Sequence, residues 1–194
     1  MLKVFLATIG LLLALAIPAA AEVGDDGLHK EKWFSVTFRD MAEDIAAARE
    51  EGKRLAIVFE QRGCIYCANM HEKLLSDPEV RDFIEANFKV VQYNMFGDEE
   101  VTDLDGETLT EKTAARKWGV VFTPTILFLP DEAAAGKTTA EAAVATMPGA
   151  FGKWTFLHMF QWVSEKGYEG DEHFQKYHAR MLDEMRAEGR ADVE

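Results

Sequence analysis

The sequence is poor in cysteine and in positive charge. Its 194 residues include two cysteines, and 21 lysines and arginines stand against 34 aspartates and glutamates. The formal net charge of −13 argues against nucleic acid as a partner, because a polyanion is bound through clustered basic side chains. With two cysteines, the chain holds at most one internal disulfide and has no second cysteine pair for a closed zinc site.

Long apolar segments are also absent, apart from one at the N-terminus. Residues 4–17 carry no charged side chain, Pro18 breaks the run, and Ala19-Ala20-Ala21 fits an A-x-A cleavage site. An uncleaved membrane anchor is the alternative, but the run is short for a span that needs roughly 20 residues. The pattern predicts a cleaved signal peptide, residues 1–21, and an exported mature chain, residues 22–194.

The mature chain, of about 170 residues, suits one domain with its own core. Some of its segments repeat apolar residues at helical spacing, and shorter apolar or β-branched runs have the length of strands. The alternation of the two predicts an α/β fold with a central sheet. The predicted helices are 37–51, a helix from the cysteine motif to 75, one starting at 78, and 108–119, 153–166 and 171–187; the predicted strands are 55–59, 88–95, 125–129 and 144–147.

An acidic segment, residues 97–107, is expected to form a solvated loop. Its Asp103-Leu104-Asp105-Gly106 resembles part of a calcium-binding loop, but the first ligand position of that motif falls on Val101, which disfavours calcium. Thr108 and Glu111 follow with the spacing of a capping box, which predicts that the next helix begins there.

The two cysteines form a C-x-x-C motif, Cys64 and Cys67, directly after the predicted strand 55–59. A ring this small stabilises a fold by only about 2 kcal/mol through loop closure, so a structural role is disfavoured. A cysteine at the start of a helix faces unpaired N–H groups and the positive end of the helix dipole, which stabilise a thiolate. We therefore expect Cys64 to be the attacking thiol and Cys67 to resolve the mixed disulfide.

A metal or haem role for the motif is a poor fit to the sequence. Cys64, Cys67 and His71 supply three zinc ligands where a closed site needs four, and His71 is more simply an exposed or packed side chain. Covalent haem attachment needs a histidine directly after the second cysteine, and that residue is Ala68. We expect no cofactor.

Three segments resemble the thioredoxin superfamily, and especially its periplasmic SoxW type: residues 59–67 (FEQRGCIYC), 77–80 (DPEV) and 118–125 (WGVVFTPT). Within the third segment, Thr123-Pro124 corresponds to the cis-proline loop that faces the disulfide in these proteins. The resemblance implies that this loop binds the backbone of a partner protein beside the attacked disulfide. It implies the thioredoxin fold, a central mixed β-sheet flanked by helices, here with an extra C-terminal helix.

By resemblance, the protein is a monomeric periplasmic thioredoxin that reduces disulfides of exported proteins. A membrane thiol transporter is the expected electron donor, and a link to sulfur oxidation or cytochrome c maturation is implied. Thr123, Pro124 and Tyr66 are the expected substrate-binding residues. A disulfide oxidase or isomerase would use the same cysteines at a different redox potential, and a non-catalytic binding or chaperone module is the remaining alternative.

The sequence also departs from ordinary thioredoxin, which has Trp-Cys-Gly-Pro-Cys and a buried aspartate on the preceding strand. Gly63 stands in place of the tryptophan, Ile65-Tyr66 in place of the dipeptide and Val58 in place of the aspartate. Glu60 is the nearest carboxylate to the motif and is a candidate acceptor for the proton of Cys67. The alternative for Glu60 is a carboxylate at a strand end that points to water.

Overall fold

The computed structural model describes residues 22–133 and 136–190. Helices and strands alternate along this part of the chain. The predicted signal peptide, residues 1–21, lies outside the described residues. In chain order the elements are β1 (Glu22–Val23), β2 (His29–Lys30), α1 (Met41–Glu50), β3 (Arg54–Glu60), α2 (Ile65–Asn69), a π-helix (Met70–Leu75), α3 (Pro78–Asn87), β4 (Phe88–Asn94), β5 (Glu100–Thr102), β6 (Thr108–Thr110), α4 (Glu111–Lys117), β7 (Thr125–Phe128), α5 (Thr139–Ala142), β8 (Ala145–Pro148), α6 (Lys153–Ser164), a 3₁₀ turn (Gly167–Glu169) and α7 (Phe174–Ala187).

A four-stranded mixed sheet with the order β4-β3-β7-β8 forms the centre of the fold. Strand β3 runs parallel to β4 and antiparallel to β7, and β8 pairs antiparallel with β7. Ile57 of β3 lies opposite Val91 of β4 and Leu127 of β7. Two separate hairpins, β1-β2 and β5-β6, lie outside this sheet.

Helices cover the central sheet on both faces, which explains why all seven residues of β3 are buried. Val58 faces a core built with α3, α6 and α7, whereas Ile57 faces a core built with α1 and α4. Successive side chains of a strand point to opposite faces, so one apolar run serves both cores. The C-terminal end of β3 is thereby held rigidly where the cysteine motif begins.

The acidic segment differs from the predicted solvated loop. Residues 100–102 and 108–110 pair as the β5-β6 hairpin, and Val101 is fully buried in the core. The carboxylates of the turn between the strands surround the ammonium group of Lys117, a residue of α4. Lys117 Nζ lies 2.8 Å from Asp103, 2.7 Å from Asp105 and 2.7 Å from Glu107. An ammonium group therefore lies among the carboxylates that resemble a calcium loop.

The cap of α4 also differs from the prediction. Thr110, not Thr108, is the N-cap, and its partner in the capping box is Thr113. Glu111 is unavailable for the box because its carboxylate accepts a hydrogen bond from the backbone N–H of Asn94 and pairs with Arg39. Tertiary contacts of Glu111 thus replace the local contact that the spacing predicted.

The predicted C-terminal helix is confirmed as α7, which packs on α6. At this contact His158 and His178 approach with 2.7 Å between their Nδ1 atoms, and Tyr177 donates a hydrogen bond to Glu165. Within residues 22–133 and 136–190, no helix combines the length and the apolar character that crossing a membrane requires.

Candidate active site

The cysteine motif lies at the junction between β3 and α2. Gly63 has a φ of +72°, a left-handed conformation that glycine adopts without strain, and it turns the chain into the helix. Cys64 is the N-cap of α2, and its Sγ accepts a hydrogen bond of 3.0 Å from the backbone N–H of Cys67. A disulfide joins the two cysteines, whose Cα atoms are 5.2 Å apart. The junction therefore places the Cys64 sulfur against the free N–H groups of a helix start.

The two cysteines differ in accessibility. Cys64 retains 8% of its surface, whereas Cys67 is completely buried. Cys67 lies one turn into the helix, on its inner face, so an incoming disulfide reaches Cys64 first. This arrangement agrees with the roles that the sequence suggests for the two thiols, although the roles themselves remain predictions.

The Thr123-Pro124 peptide bond is cis, and the loop before β7 lies against the disulfide. The hydroxyl of Thr123 donates a 3.3 Å hydrogen bond to Cys64 Sγ, and the Thr123 carbonyl lies 3.5 Å from the same sulfur. Two elements that are far apart in the chain thus meet at Cys64. A side-chain hydroxyl and a backbone N–H both point at the sulfur and would stabilise its thiolate form.

Apolar side chains are exposed around this meeting point. Tyr66, between the cysteines, is 62% exposed, and its neighbour Ile65 is exposed as well. Val121 and Phe122 precede Thr123 and are also exposed. Exposed apolar groups gathered at one place are typical of a surface that binds another molecule.

Glu60, the last residue of β3, is completely buried. Its Oε1 accepts a hydrogen bond from the side-chain amide of Gln92 at 2.9 Å and lies 2.9 Å from His71 Nε2. Its Oε2 is buried without a hydrogen-bond partner among the described residues. The solvent-facing alternative for Glu60 is therefore wrong, and a free carboxylate oxygen is available inside the protein.

His71 is buried between two carboxylates. Its Nε2 contacts Glu60 and its Nδ1 lies 2.8 Å from Oε1 of Glu31. Burial alone would lower the pKa of His71, but the hydrogen bonds with Glu31 and then Glu60 outweigh it and raise the pKa to about 9. His71 is therefore an imidazolium at neutral pH.

Glu31 and His71 were not identified as site residues from the sequence. The spacing of His71, four residues after Cys67, was a usable signal, because it places both side chains on the same side of a helical turn. Glu31 offered no signal, since it lies 40 positions before His71 and the contact is purely tertiary. In the part of the chain that the structure describes, no group of three histidine, cysteine or acidic side chains is arranged to hold a metal ion.

Comparison with known proteins places this site in a family. Residues 41–153 match the thioredoxin-like domain family, and the chain belongs to it. No curated protein matches the sequence. Together, the family and the disulfide at the helix start define a thiol–disulfide oxidoreductase.

Two solved structures share the fold. A thioredoxin from Thermus thermophilus is 27% identical and aligns with a TM-score of 0.50, covering 68% of this chain and 91% of its own. A thioredoxin-fold protein from Helicobacter pylori is 17% identical, with a TM-score of 0.54 over 76% of this chain and 98% of its own. These likenesses confirm the thioredoxin fold that the sequence motifs imply.

Proposed function

We propose that this protein is a monomeric periplasmic thioredoxin that reduces disulfides in other exported proteins. The observation that carries the proposal is the asymmetry of the motif: Cys64 retains 8% of its surface and its sulfur receives two hydrogen bonds, while Cys67 is completely buried. A nucleophile outside and a resolving thiol inside is the arrangement that disulfide exchange needs. The predicted signal peptide supports the proposed periplasmic location.

The reaction begins with the reduced protein. The thiolate of Cys64 attacks one sulfur of a partner disulfide, a new S–S bond forms, and the other partner sulfur leaves as a thiolate. Cys67 then loses its proton to Glu60 and attacks Cys64 Sγ, which releases the second partner sulfur. The partner gains two electrons and this protein ends as the Cys64–Cys67 disulfide. A membrane thiol transporter is the proposed source of the electrons that reopen it.

The partner is a polypeptide held beside the cysteines. The cis loop at Thr123-Pro124 offers backbone groups at the sulfur of Cys64, and Tyr66 adds an exposed aromatic face. Val121 and Phe122 extend this apolar surface, which would bind apolar side chains that flank the partner's cysteine. Thr123, Pro124 and Tyr66 therefore serve as the proposed substrate-binding residues.

Similarity to a thioredoxin at 27% identity supports the reducing direction. One observation favours a second candidate, a disulfide oxidase. The hydrogen bonds from the Cys67 N–H and the Thr123 hydroxyl to Cys64 Sγ would stabilise the thiolate, and a stabilised reduced form makes a stronger oxidant. The redox potential decides between the two.

The potential is measured by equilibrating the mature protein with glutathione redox buffers and quantifying free thiols. A value near about −270 mV, with reduction of a disulfide-bonded test protein, is expected. A value near about −120 mV would make the protein an oxidase and overturn the proposed direction.

Partner identity is tested by trapping. A Cys67→Ser variant expressed with its signal peptide should accumulate mixed disulfides through Cys64, because nothing resolves them. Cys64→Ser is the matched control and should capture none of the same proteins. The redox state of the captured proteins is then compared between wild-type cells and cells that lack the gene for this protein. Greater oxidation of these proteins in the deletion strain would support the reductase, and an unchanged redox state would contradict it.

A further inference from the structure

Three ionisable side chains form a row: Glu31, His71 in the helical segment that follows the cysteine motif, and Glu60 at the end of the strand that precedes the motif. Both nitrogens of the His71 ring are used, Nδ1 at 2.8 Å from Glu31 and Nε2 at 2.9 Å from Glu60. The side chains of His71 and Glu60 are fully buried, and that of Glu31 is 16% exposed. The row therefore runs from the interior of the protein to its surface.

Glu31 comes from a part of the chain that precedes the family match. The thioredoxin-like domain begins at residue 41, whereas Glu31 follows β2 in the N-terminal segment, residues 22–40. This segment is tied to β4, where Gln92 donates to the carbonyl of His29 at 2.7 Å and the N–H of Ser35 donates to the carbonyl of Val90 at 2.7 Å. A segment that lies before the family match thus completes the row.

Aromatic rings of the same segment cover the imidazole. The ring of His29 stacks on that of His71 with 5.3 Å between centroids, and the ring of Phe34 lies at 5.9 Å. Water is kept from His71, so the carboxylates and not solvent determine its charge. A charged imidazole enclosed in this way is stable only while its partners remain.

The charge on His71 acts on Glu60. A carboxylate in a dry interior is costly unless a cation pairs with it, and the His71 imidazolium supplies that cation. The imidazole and Gln92 together occupy Oε1 of Glu60, which leaves Oε2 unpartnered. The Glu60 side chain is thus fixed through Oε1, and its second oxygen has no partner among the described residues.

We propose that Glu31 and His71 are positioning residues that keep Glu60 ready to accept the Cys67 proton, and that the N-terminal segment therefore completes the active site. The inference rests on the proposed thiol chemistry, in which Cys67 must lose its proton before it attacks Cys64. That proton passes to Glu60 and leaves a neutral acid beside the imidazolium. The proton returns to solvent once the partner has been released.

The test uses the reduced mature protein and dithiobis(nitrobenzoate), an aromatic disulfide whose cleavage releases a coloured thiolate. Attack by Cys64 releases the first thiolate, and resolution by Cys67 releases the second, so stopped-flow absorbance separates the two steps. Glu31→Gln should slow the second phase about tenfold at neutral pH, a free-energy change equal to one pKa unit, and leave the first phase unchanged. The pH dependence of the second-phase rate should also shift to higher pH in this variant.

Two further variants make the result decisive. His71→Gln removes the charge but keeps an amide that can donate to Glu60, and it should slow the second phase in the same way. Glu72→Gln is the matched control, because Glu72 is adjacent in sequence but exposed. It should behave as the wild type in both phases.

If Glu31→Gln releases the second thiolate at the wild-type rate and with the wild-type pH dependence, the proposal is overturned. Equal slowing of both phases would also overturn it, because that result indicates a general structural effect. Neither outcome bears on the direction of electron flow, since the probe is reduced by a dithiol of any potential. Failure of the proposed reductase function would instead be detected as an oxidising redox potential in the equilibration with glutathione buffers.

Discussion

The hydroxyl of Thr123 donates a hydrogen bond to Cys64 Sγ at 3.3 Å, although 59 residues separate the two. Thr123 precedes a cis peptide bond to Pro124, in the loop that lies against the helix start at Cys64. Thr123 thereby connects the loop that is proposed to bind the partner with the sulfur that is proposed to attack it.

Thr123→Val removes this donor and keeps the shape of the side chain. The Cys64 thiolate loses a charge-assisted hydrogen bond, so alkylation of Cys64 by iodoacetamide at neutral pH should slow roughly tenfold. Thr125→Val is the matched control, because the hydroxyl of Thr125 bonds the carbonyl of Phe122 and not the sulfur. Equal alkylation rates in both variants and the wild type would show that the Thr123 hydroxyl does not act on the thiolate.

In the reduced wild type, Cys64 should be alkylated faster than Cys67. Cys64 is the accessible thiol at the helix start, whereas Cys67 is fully buried. Mass spectrometry of peptides after short iodoacetamide pulses measures the two rates separately. Faster modification of Cys67 would reverse the assignment of nucleophile and resolving thiol.

Glu60→Gln should slow resolution of the mixed disulfide by about 10²-fold, because the variant lacks the proposed proton acceptor. The amide can keep a hydrogen bond to His71, so the fold should survive, and circular dichroism checks this. The measurement is the second thiolate release from dithiobis(nitrobenzoate) between about pH 6 and about pH 9. A wild-type rate across that range would leave Cys67 without an assigned base.

Stability should fall on the alkaline side as His71 loses its proton. The pKa of His71 rises from 6.5 to about 9 on folding, so between these values the folded protein binds more protons than the unfolded one. The stabilisation is complete below pH 6.5 and is lost as the pH rises through about 9. The free energy of unfolding from urea titrations should fall over this pH range in the wild type but not in His71→Gln. The same pH dependence in both proteins would show that the ion pairs of His71 do not stabilise the fold.

His158 should make the folded protein less stable at acid pH. Burial, and then the charges of His178 and Arg190, lower its pKa from 6.5 to about 4 against a smaller opposing effect of Glu79. Between these values the unfolded chain binds more protons, so stability decreases as the pH falls from 6.5 toward 4. His158→Gln should flatten this part of the urea-unfolding profile, and an unchanged slope would assign the acid sensitivity to other groups.

The fold was predictable from the sequence because its informative parts are local. The strand at residues 54–60, the helix start at Cys64 and the helix at Pro78 follow from apolar runs, a C-x-x-C spacing and a proline in the first turn. The C-terminal helix likewise follows from its periodic apolar face. In each case neighbours in sequence supply most of the signal.

The β5-β6 hairpin was missed because acidic residues are depleted in strands and Val101 is the one fully buried residue of its two strands. The carboxylates of its turn pair with Lys117, which belongs to the next helix. The partners of Glu60 were missed for a related reason. Burial of a carboxylate at a strand end depends on which charges the rest of the chain brings to it, and Glu31 approaches through the N-terminal segment.

The N-terminal segment, residues 22–40, also lies along one edge of the central sheet. β4 is an edge strand, and an uncovered edge offers free N–H and C=O groups that pair with strands of neighbouring chains. The backbone N–H of Ser35 donates to the carbonyl of Val90 and so covers part of this edge, while the opposite edge strand ends in Pro148, which has no N–H to donate. The segment that covers this edge is the same one that brings Glu31 to His71, so an N-terminal truncation is expected to uncover part of β4 and to remove the proposed positioning of Glu60 at once.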